Sequence, residues 1–180
     1  MMRSSLSKSH LPMHLMPTPR VYQTKRPSPL GDILLAATDA GLVGVWFVQG
    51  QVHMPDSSPW LSQDQHPVLL STADQLAAYF NGQRQAFELN LATHWGTPFQ
   101  RRVWQALTQI PFGQTSSYGQ IAHAIGNPKA VRAVGAAIGQ NPHSIVVPCH
   151  RVLGANGSLT GFAGGLHRKQ YLLHHEALHT

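Results

Sequence analysis

The spacing of apolar positions along residues 28–91 changes twice, and each change marks an element. Ile33-Leu34-Leu35-Ala36-Ala37 and Leu42-Val43-Gly44-Val45-Trp46-Phe47-Val48 are short apolar runs separated by Asp39-Ala40-Gly41, a pattern that predicts strand, turn, strand. After a polar stretch from Gln49 to Gln65, the residues Leu69, Leu70, Ala73, Leu76, Ala77 and Phe80 recur at helical spacing between His66 and Asn81, and Asn81-Gly82 supplies the stop. Phe87 to Leu91 alternates like a further short strand. Residues 21–92 are therefore expected to form a small α+β lobe without a catalytic constellation.

From Thr97 onward the pattern is helical. Thr97 can cap a helix with Pro98 at its first position and Gln100 completing a capping box, and Phe99, Val103, Leu107 and Ile110 line one face. Pro111-Phe112-Gly113 stops that helix. Ser117 with Gln120 offers a second capping box, followed by the stripe Tyr118, Ile121, Ala122 and Ile125 up to Gly126, and Asn127-Pro128 is expected to start a third helix. Three short helices joined by tight turns predict a helix-turn-helix within residues 97–180. At about 100° per residue, Val131, Val134 and Ile138 share the buried side of the third helix, leaving Lys129, Arg132, Ala133, Ala136 and Gly139 outside. Ordinary solvent faces are charged, so small residues around one Arg suggest the close approach of a large partner. Gly135, which costs roughly 1 kcal/mol against Ala inside a helix, is expected to serve the same end.

Charge agrees with this division. Residues 97–180 hold seven Lys/Arg against Glu176 alone, whereas residues 27–96 hold one base, Arg84, and six acids. The basic half is the candidate polyanion binder. No run approaches the roughly 18 apolar residues of a bilayer span, and Pro12, Pro17 and Pro19 interrupt the opening segment. Residues 1–20 are expected to be a disordered leader, and the protein to be cytoplasmic, or nuclear if the source is eukaryotic, with no membrane partner.

Cys149 is the sole cysteine, which excludes an intramolecular disulfide and a multi-cysteine zinc cage. Ser144-Ile145-Val146-Val147 predicts a short buried strand that Pro148 ends, presenting Cys149, His150 and Arg151. A free thiol, with pKa near ~8.5, is mostly protonated at neutral pH, so reactivity requires a base or positive charge. His150 is adjacent, and Glu176 could orient it. Such a relay would bring the thiol to about half ionisation. A buried core thiol and a cysteine hydrolase remain open on these residues alone.

Ile145-Val146-Val147-Pro148-Cys149-His150-Arg151-Val152 resembles the active-site motif of the O6-alkylguanine-DNA alkyltransferases. Ile110-Pro111-Phe112-Gly113, Ser117-Tyr118-Gly119, Gly126 to Gly135, Asn141-Pro142, Gly161 to Gly165 and Leu172 to Glu176 match that family in the same order. The resemblance implies an α/β protein: an N-terminal ribonuclease-H-like lobe and a C-terminal winged helix-turn-helix lobe. It also implies DNA repair by direct reversal, with the alkyl group of O6-alkylguanine, and O4-alkylthymine as a second candidate substrate, transferred irreversibly to Cys149 after the nucleotide is flipped through the minor groove. In that mapping His150 takes the thiol proton through a water, Glu176 sets its tautomer and Asn141 ties the recognition helix to the active-site turn. Arg132 fills the vacated base position and Tyr118 crowds the 3′ phosphate. Ile138, Val152, Phe162, Ala163 and Gly164 close the substrate pocket. Lys129, Arg132, Ala133, Ala136, Gly139 and Arg151 are expected to face double-stranded DNA.

Phe162 stands where many family members have Tyr. The zinc site of some relatives has no basis in an N-terminal lobe without Cys, and His174, His175 and His179 are expected to be exposed rather than metal-binding. No cofactor or metal is expected. The protein is expected to be a monomer that can cooperate along DNA. A damage-binding protein without chemistry is the alternative that Cys149 argues against.

Overall fold

Asp39 and Ala40 close the predicted hairpin, with the Ala40 amide donating to Thr38 Oγ1. In the computed structural model, which describes residues 18–92 and 95–180, β2 (Ile33–Thr38) and β3 (Gly41–Phe47) pair antiparallel from Ile33 opposite Phe47 to Thr38 opposite Gly41. Val43 is an extra residue that shifts the register. The expected leader lies outside the described residues up to residue 17; Thr18, Pro19 and Arg20 are exposed and carry no regular structure.

Two strands extend the hairpin beyond the sequence expectation. β1 (Tyr22–Arg26) runs antiparallel to β2, and β4 (Leu61–Ser62) runs parallel to β1, giving the order β3-β2-β1-β4. The helix α1 (Pro67–Phe80) starts at the cap His66 and ends at Asn81, as its periodicity predicts. Its Leu69, Leu76 and Tyr79 pack against Ile33, Leu35, Leu42, Val45 and Phe47 of the sheet. The other sheet face buries Leu34, Ala36, Val43 and Trp46 beside Trp60. With both faces covered, β2 and β3 read as continuous apolar runs rather than alternating ones.

The expected strand Phe87–Leu91 does not form. The Glu88 amide donates to Gln75 Oε1, and the Gln75 side-chain amide donates back to the Glu88 carbonyl, so a helix side chain takes the backbone partners that a strand would have used. Pairing survives only beside Leu42, whose amide donates to Asn90 O and whose carbonyl accepts from the Ala92 amide. A Cβ on Gly41 would lie 2.5 Å from the Asn90 carbonyl oxygen, which explains the glycine at the start of β3.

In the second half, α2 (Pro98–Leu107) and α3 (Tyr118–Ala124) both carry complete capping boxes, at Thr97/Gln100 and Ser117/Gln120. The third helix, α4 (Val131–Gly139), starts later than expected because Pro128 and Lys129 form a turn, closed by the Ala130 amide on Asn127 O. Val131 is consequently exposed, and Ala137 joins Val134 and Ile138 on the buried side. β5 (Ser116–Ser117) and β6 (Val152–Leu153) form a parallel pair beside the helices, and α5 (Leu166–Leu178) returns to the first half. Its Leu172 enters the sheet core, and Arg168 lies over the Phe47 ring while donating to Leu30 O and Gln49 O. His175, expected at the surface, is buried and hydrogen-bonds the Tyr79 carbonyl at 2.8 Å. Among the described residues no group of acids, Cys and His is arranged to hold a metal, and no helix is long and apolar enough to cross a membrane.

His143 is the buried polar group with the clearest consequence for folding. Its Nε2 bonds the Leu42 carbonyl at 3.0 Å as a donor, and burial pulls its pKa down to about 4. The unfolded chain binds a proton near pH 6.5 that the native state refuses. Stability from the neutral ring is therefore complete above about pH 6.5 and drains away as pH falls towards 4, by about 3 kcal/mol in total. Urea midpoints between pH 7 and pH 4.5 are expected to fall accordingly. In His143→Gln, which keeps a donor but does not titrate, this part of the pH dependence should flatten.

Candidate active site

The segment before Cys149 is not the strand its apolar run predicts. Asn141, directly after α4 and its cap Gln140, is buried and uses its side chain as a template. Its Oδ1 accepts from the His143 amide at 3.0 Å, and its Nδ2 donates to Val147 O at 3.0 Å and to His143 O at 3.4 Å. The chain is folded into a turn in which Ile145 has φ +71°, a strained value for a β-branched residue. The turn also docks on β3, through the Val45 amide on Pro142 O and the Ser144 amide on Val45 O. Cys149 then opens a single 3-10 turn, Cys149–Arg151, after Pro148.

Cys149 lies inside the second core, among Ile138, Val147 and Val152, with Phe162 and Tyr118 packed against the same cluster. It is 4% exposed. Burial pushes the thiol pKa up; the Asn141 amide, the Lys169 charge and the amides of Cys149 and His150 oppose that shift without reversing it. The expectation of a half-ionised resting thiol is therefore corrected. The desolvated pocket favours S–H, and ionisation must be coupled to proton removal.

His150 is held in one tautomer. His150 is fully buried, with Nε2 2.7 Å from Glu176 Oε1. A carboxylate only accepts, so Nε2 carries the hydrogen and Nδ1 presents its lone pair. Nδ1 is the one buried side-chain polar atom among the described residues without a hydrogen-bond partner in the protein. Burial lowers the His150 pKa against the pull of Glu176, which keeps the ring neutral and able to accept.

Glu176 receives five hydrogen bonds. Oε1 accepts from His150 Nε2, from the Tyr79 hydroxyl at 2.9 Å and from the Arg151 guanidinium at 2.9 Å; Oε2 accepts from Arg151 Nε at 2.8 Å and the Gly113 amide at 3.2 Å. Burial would raise the carboxyl pKa, but the bonds from His150 and Arg151 hold it well below the usual carboxylate range. Arg151, expected on DNA, is thus withdrawn from any surface: it is buried, paired with Glu176, and its remaining donor reaches Ile110 O at 2.6 Å.

Lys169 is a residue that motif reading passes over. It is fully buried without an acidic partner, and its Nζ donates to the carbonyls of Val152, Thr160 and Gly161. Burial lowers its pKa to about 8, with Cys149 acting in the other direction. The available signal is its register: Lys169, Leu172 and Glu176 share one face of α5, all buried. Tyr118 donates to the same Thr160 carbonyl at 2.9 Å. Tyr118 and Lys169 thereby pin the segment leading to Phe162, Ala163 and Gly164 over the cysteine cluster. Gly164 is required there, because a Cβ would lie 2.8 Å from both Phe162 and Phe47.

The remaining expected contacts stand apart from the relay. Arg132, Ala133 and Ala136 are exposed on α4, Gly139 is half-buried at its end, and Lys129 is exposed in the preceding turn. A Cβ on Gly135 would be 3.7 Å from the Tyr118 ring, ordinary contact, so packing within the chain does not demand that glycine. The structure therefore gathers Cys149, His150, Glu176, Asn141, Ile138, Val152 and Phe162 around one buried centre, and it presents a separate face of small residues and Arg132 outside.

Two family models cover this architecture. One described as the ribonuclease-like domain of 6-O-methylguanine DNA methyltransferase matches residues 21–93, and one described as its DNA binding domain matches residues 98–178. A methylated-DNA--protein-cysteine methyltransferase of Methanosarcina acetivorans is 50% identical over 148 residues, 81% of this chain and 92% of that protein. A protein of the same description from Mycolicibacterium paratuberculosis is 48% identical over 153 residues, 85% of this chain and 90% of its own length. Among solved structures, Mycobacterium tuberculosis OGT in complex with DNA superimposes with a TM-score of 0.81 at 42% identity, covering 88% of this chain and 94% of that one.

Proposed function

The chain belongs to the 6-O-methylguanine DNA methyltransferase family, and from that premise we propose that it repairs DNA by moving the alkyl group of O6-alkylguanine onto Cys149. The observation that carries this reading is the burial of the sole cysteine beside a histidine whose tautomer is set by Glu176.

The thiol proton passes to His150 Nδ1, directly or through one water, as Sγ attacks the alkyl carbon. The S–C bond forms while the C–O6 bond breaks, the electron pair returns to the guanine ring, and the proton taken from sulfur ends on the base. The balance is an exchange of hydrogen for alkyl between Cys149 and guanine. Glu176 lowers the cost of the transient imidazolium. Because burial raises the thiol pKa, the proton must be taken by a base for sulfur to attack. The product is a thioether, and the chain has no second cysteine to relieve it.

The alkyl carbon lies inside the duplex, so the nucleotide must leave the stack. The small exposed side chains of Ala133 and Ala136 allow α4 to sit deep in the minor groove, where Arg132 takes the vacated place and Tyr118 stands at the turned phosphate. Every member of the relay comes from one chain, which fits a monomer, and a reduced thiol fits the cytoplasm.

Incubation with a duplex containing one O6-methylguanine is expected to add one methyl mass to the peptide bearing Cys149. Repaired base should plateau at one equivalent per protein. Continued turnover, or label on another residue, would overturn the reading.

A further inference from the structure

Tyr79 lies in α1, in the half of the chain that offers no chemistry of its own, yet it reaches the relay. We propose that Tyr79 is a positioning residue for alkyl transfer: its hydroxyl, 2.9 Å from Glu176 Oε1, lets the N-terminal lobe set how strongly that carboxylate holds His150. The inference rests on the transfer reaction proposed above.

The geometry leaves the hydroxyl one role. Glu176 Oε1 already accepts from His150 Nε2 and from Arg151, and a carboxylate has no proton to give, so Tyr79 donates. Burial, and then the charge of Glu176, push the phenol pKa upward, keeping the donor intact across the working range. Among the described residues this is the only side-chain hydrogen bond from the N-terminal lobe to Glu176, His150 or Arg151. The ring cannot drift, because it is fully buried against Phe80, Phe87 and Phe112, and its carbonyl accepts from His175. Phe112 in turn lies under the Arg151 guanidinium.

Three donors on one oxygen compete for its charge. Each weakens the carboxylate as an acceptor for the others. The charged or titratable groups facing His150 are Glu176 and Lys169 from α5, and Arg151 and Cys149 from its own turn, with Tyr79 reaching it from α1 through Glu176. Of these, Tyr79 is the one that bonds Glu176 without carrying a charge or sharing in the proton transfer. Without its hydroxyl, Glu176 pulls harder on Nε2–H, His150 becomes easier to protonate, and less of it is free to accept the thiol proton at low pH.

Tyr79→Phe keeps the ring and removes the donor. The acid limb of the single-turnover rate, measured with duplex O6-methylguanine, is expected to move up by roughly half a pH unit. Low on that limb the rate should fall by about threefold, the most that half a unit allows for one proton, with little change well above it. Duplex affinity and the one-equivalent end point should not change. Replacing Tyr79 with 3-fluorotyrosine, a stronger donor of the same shape, should move the limb the other way, and this keeps the test decisive if the Phe variant folds poorly. Leu76→Ala, a packing change on the same helix, should lower thermal stability and leave the limb in place. A limb that stays put in both Tyr79 variants, or that moves equally in Leu76→Ala, overturns the inference. If the unaltered protein fails to methylate Cys149, the fault lies with the proposed reaction and not with Tyr79.

Discussion

Glu176→Ala is expected to lose alkyl transfer by on the order of a hundredfold or more, the usual scale for disabling a positioned acid–base group, and to lose much of its folding stability as well. One substitution strips the acceptor from His150, Tyr79, Arg151 and the Gly113 amide. The severest loss is at Arg151, which stays buried with its charge and keeps only Ile110 O. Breaking a buried pair from one side costs about 3–5 kcal/mol. The paired carboxylate has a pKa below its unfolded value, so its stabilisation is present above about pH 4.3 and is lost only as pH falls through the lowered native value. The deficit of the variant should thus be full at pH 7 and shrink in strong acid, below the window where His143 acts. Glu176→Gln, which retains one acceptor for His150, should recover more rate than stability. Equal loss of both, or a variant with normal transfer, would show that Glu176 does not orient the base. Denaturant midpoints and single-turnover rates at pH 4, 5.5 and 7 distinguish these cases.

What the chain discloses before folding depends on whether a residue's task is local. The capping boxes at Thr97 and Ser117 and the helix from His66 to Asn81 are complete within a few residues, and each appears where its pattern places it. β1 is not visible because Tyr22–Arg26 has no apolar period; it is held by backbone pairing to β2 and buries mainly Thr24. The two failed strands share a cause. Phe87–Leu91 and Ser144–Val147 have strand-like composition, but Gln75, thirteen residues before Glu88, and Asn141, six before Val147, bind backbone groups at each segment. The first lies outside any local window; the second lies inside one, but apolar spacing does not register a polar side chain folding the turn.

The site follows the same division. Cys149 and His150 are adjacent, and Glu176 is the only acid of its half, so the relay can be assembled from composition. Arg151 misleads because a charge count cannot tell a surface cation from one sealed against a carboxylate. Lys169 and Tyr79 are hidden because each looks like an ordinary helix residue until the fold supplies the carbonyls or the carboxylate that it meets.

The exposed face of α4 yields the second large effect. Arg132→Ala should slow repair of O6-methylguanine in duplex DNA by on the order of ten- to a thousandfold, because the few kcal/mol needed to unstack a base then go uncompensated. Reaction with free O6-benzylguanine, which has nothing to unstack, should proceed at the normal rate. The separation is built into the structure: Arg132 is exposed on the helix, whereas Cys149, His150 and Glu176 are buried, and the connection between the two runs through the end of α4 and Asn141. Removing the guanidinium leaves that connection intact, so the chemistry should not register the change. A mismatched lesion, already loosely paired, should show a smaller deficit than a well-paired one. If free base and duplex slow together, Arg132 supports the pocket itself, and α4 must enter DNA by some other side chain.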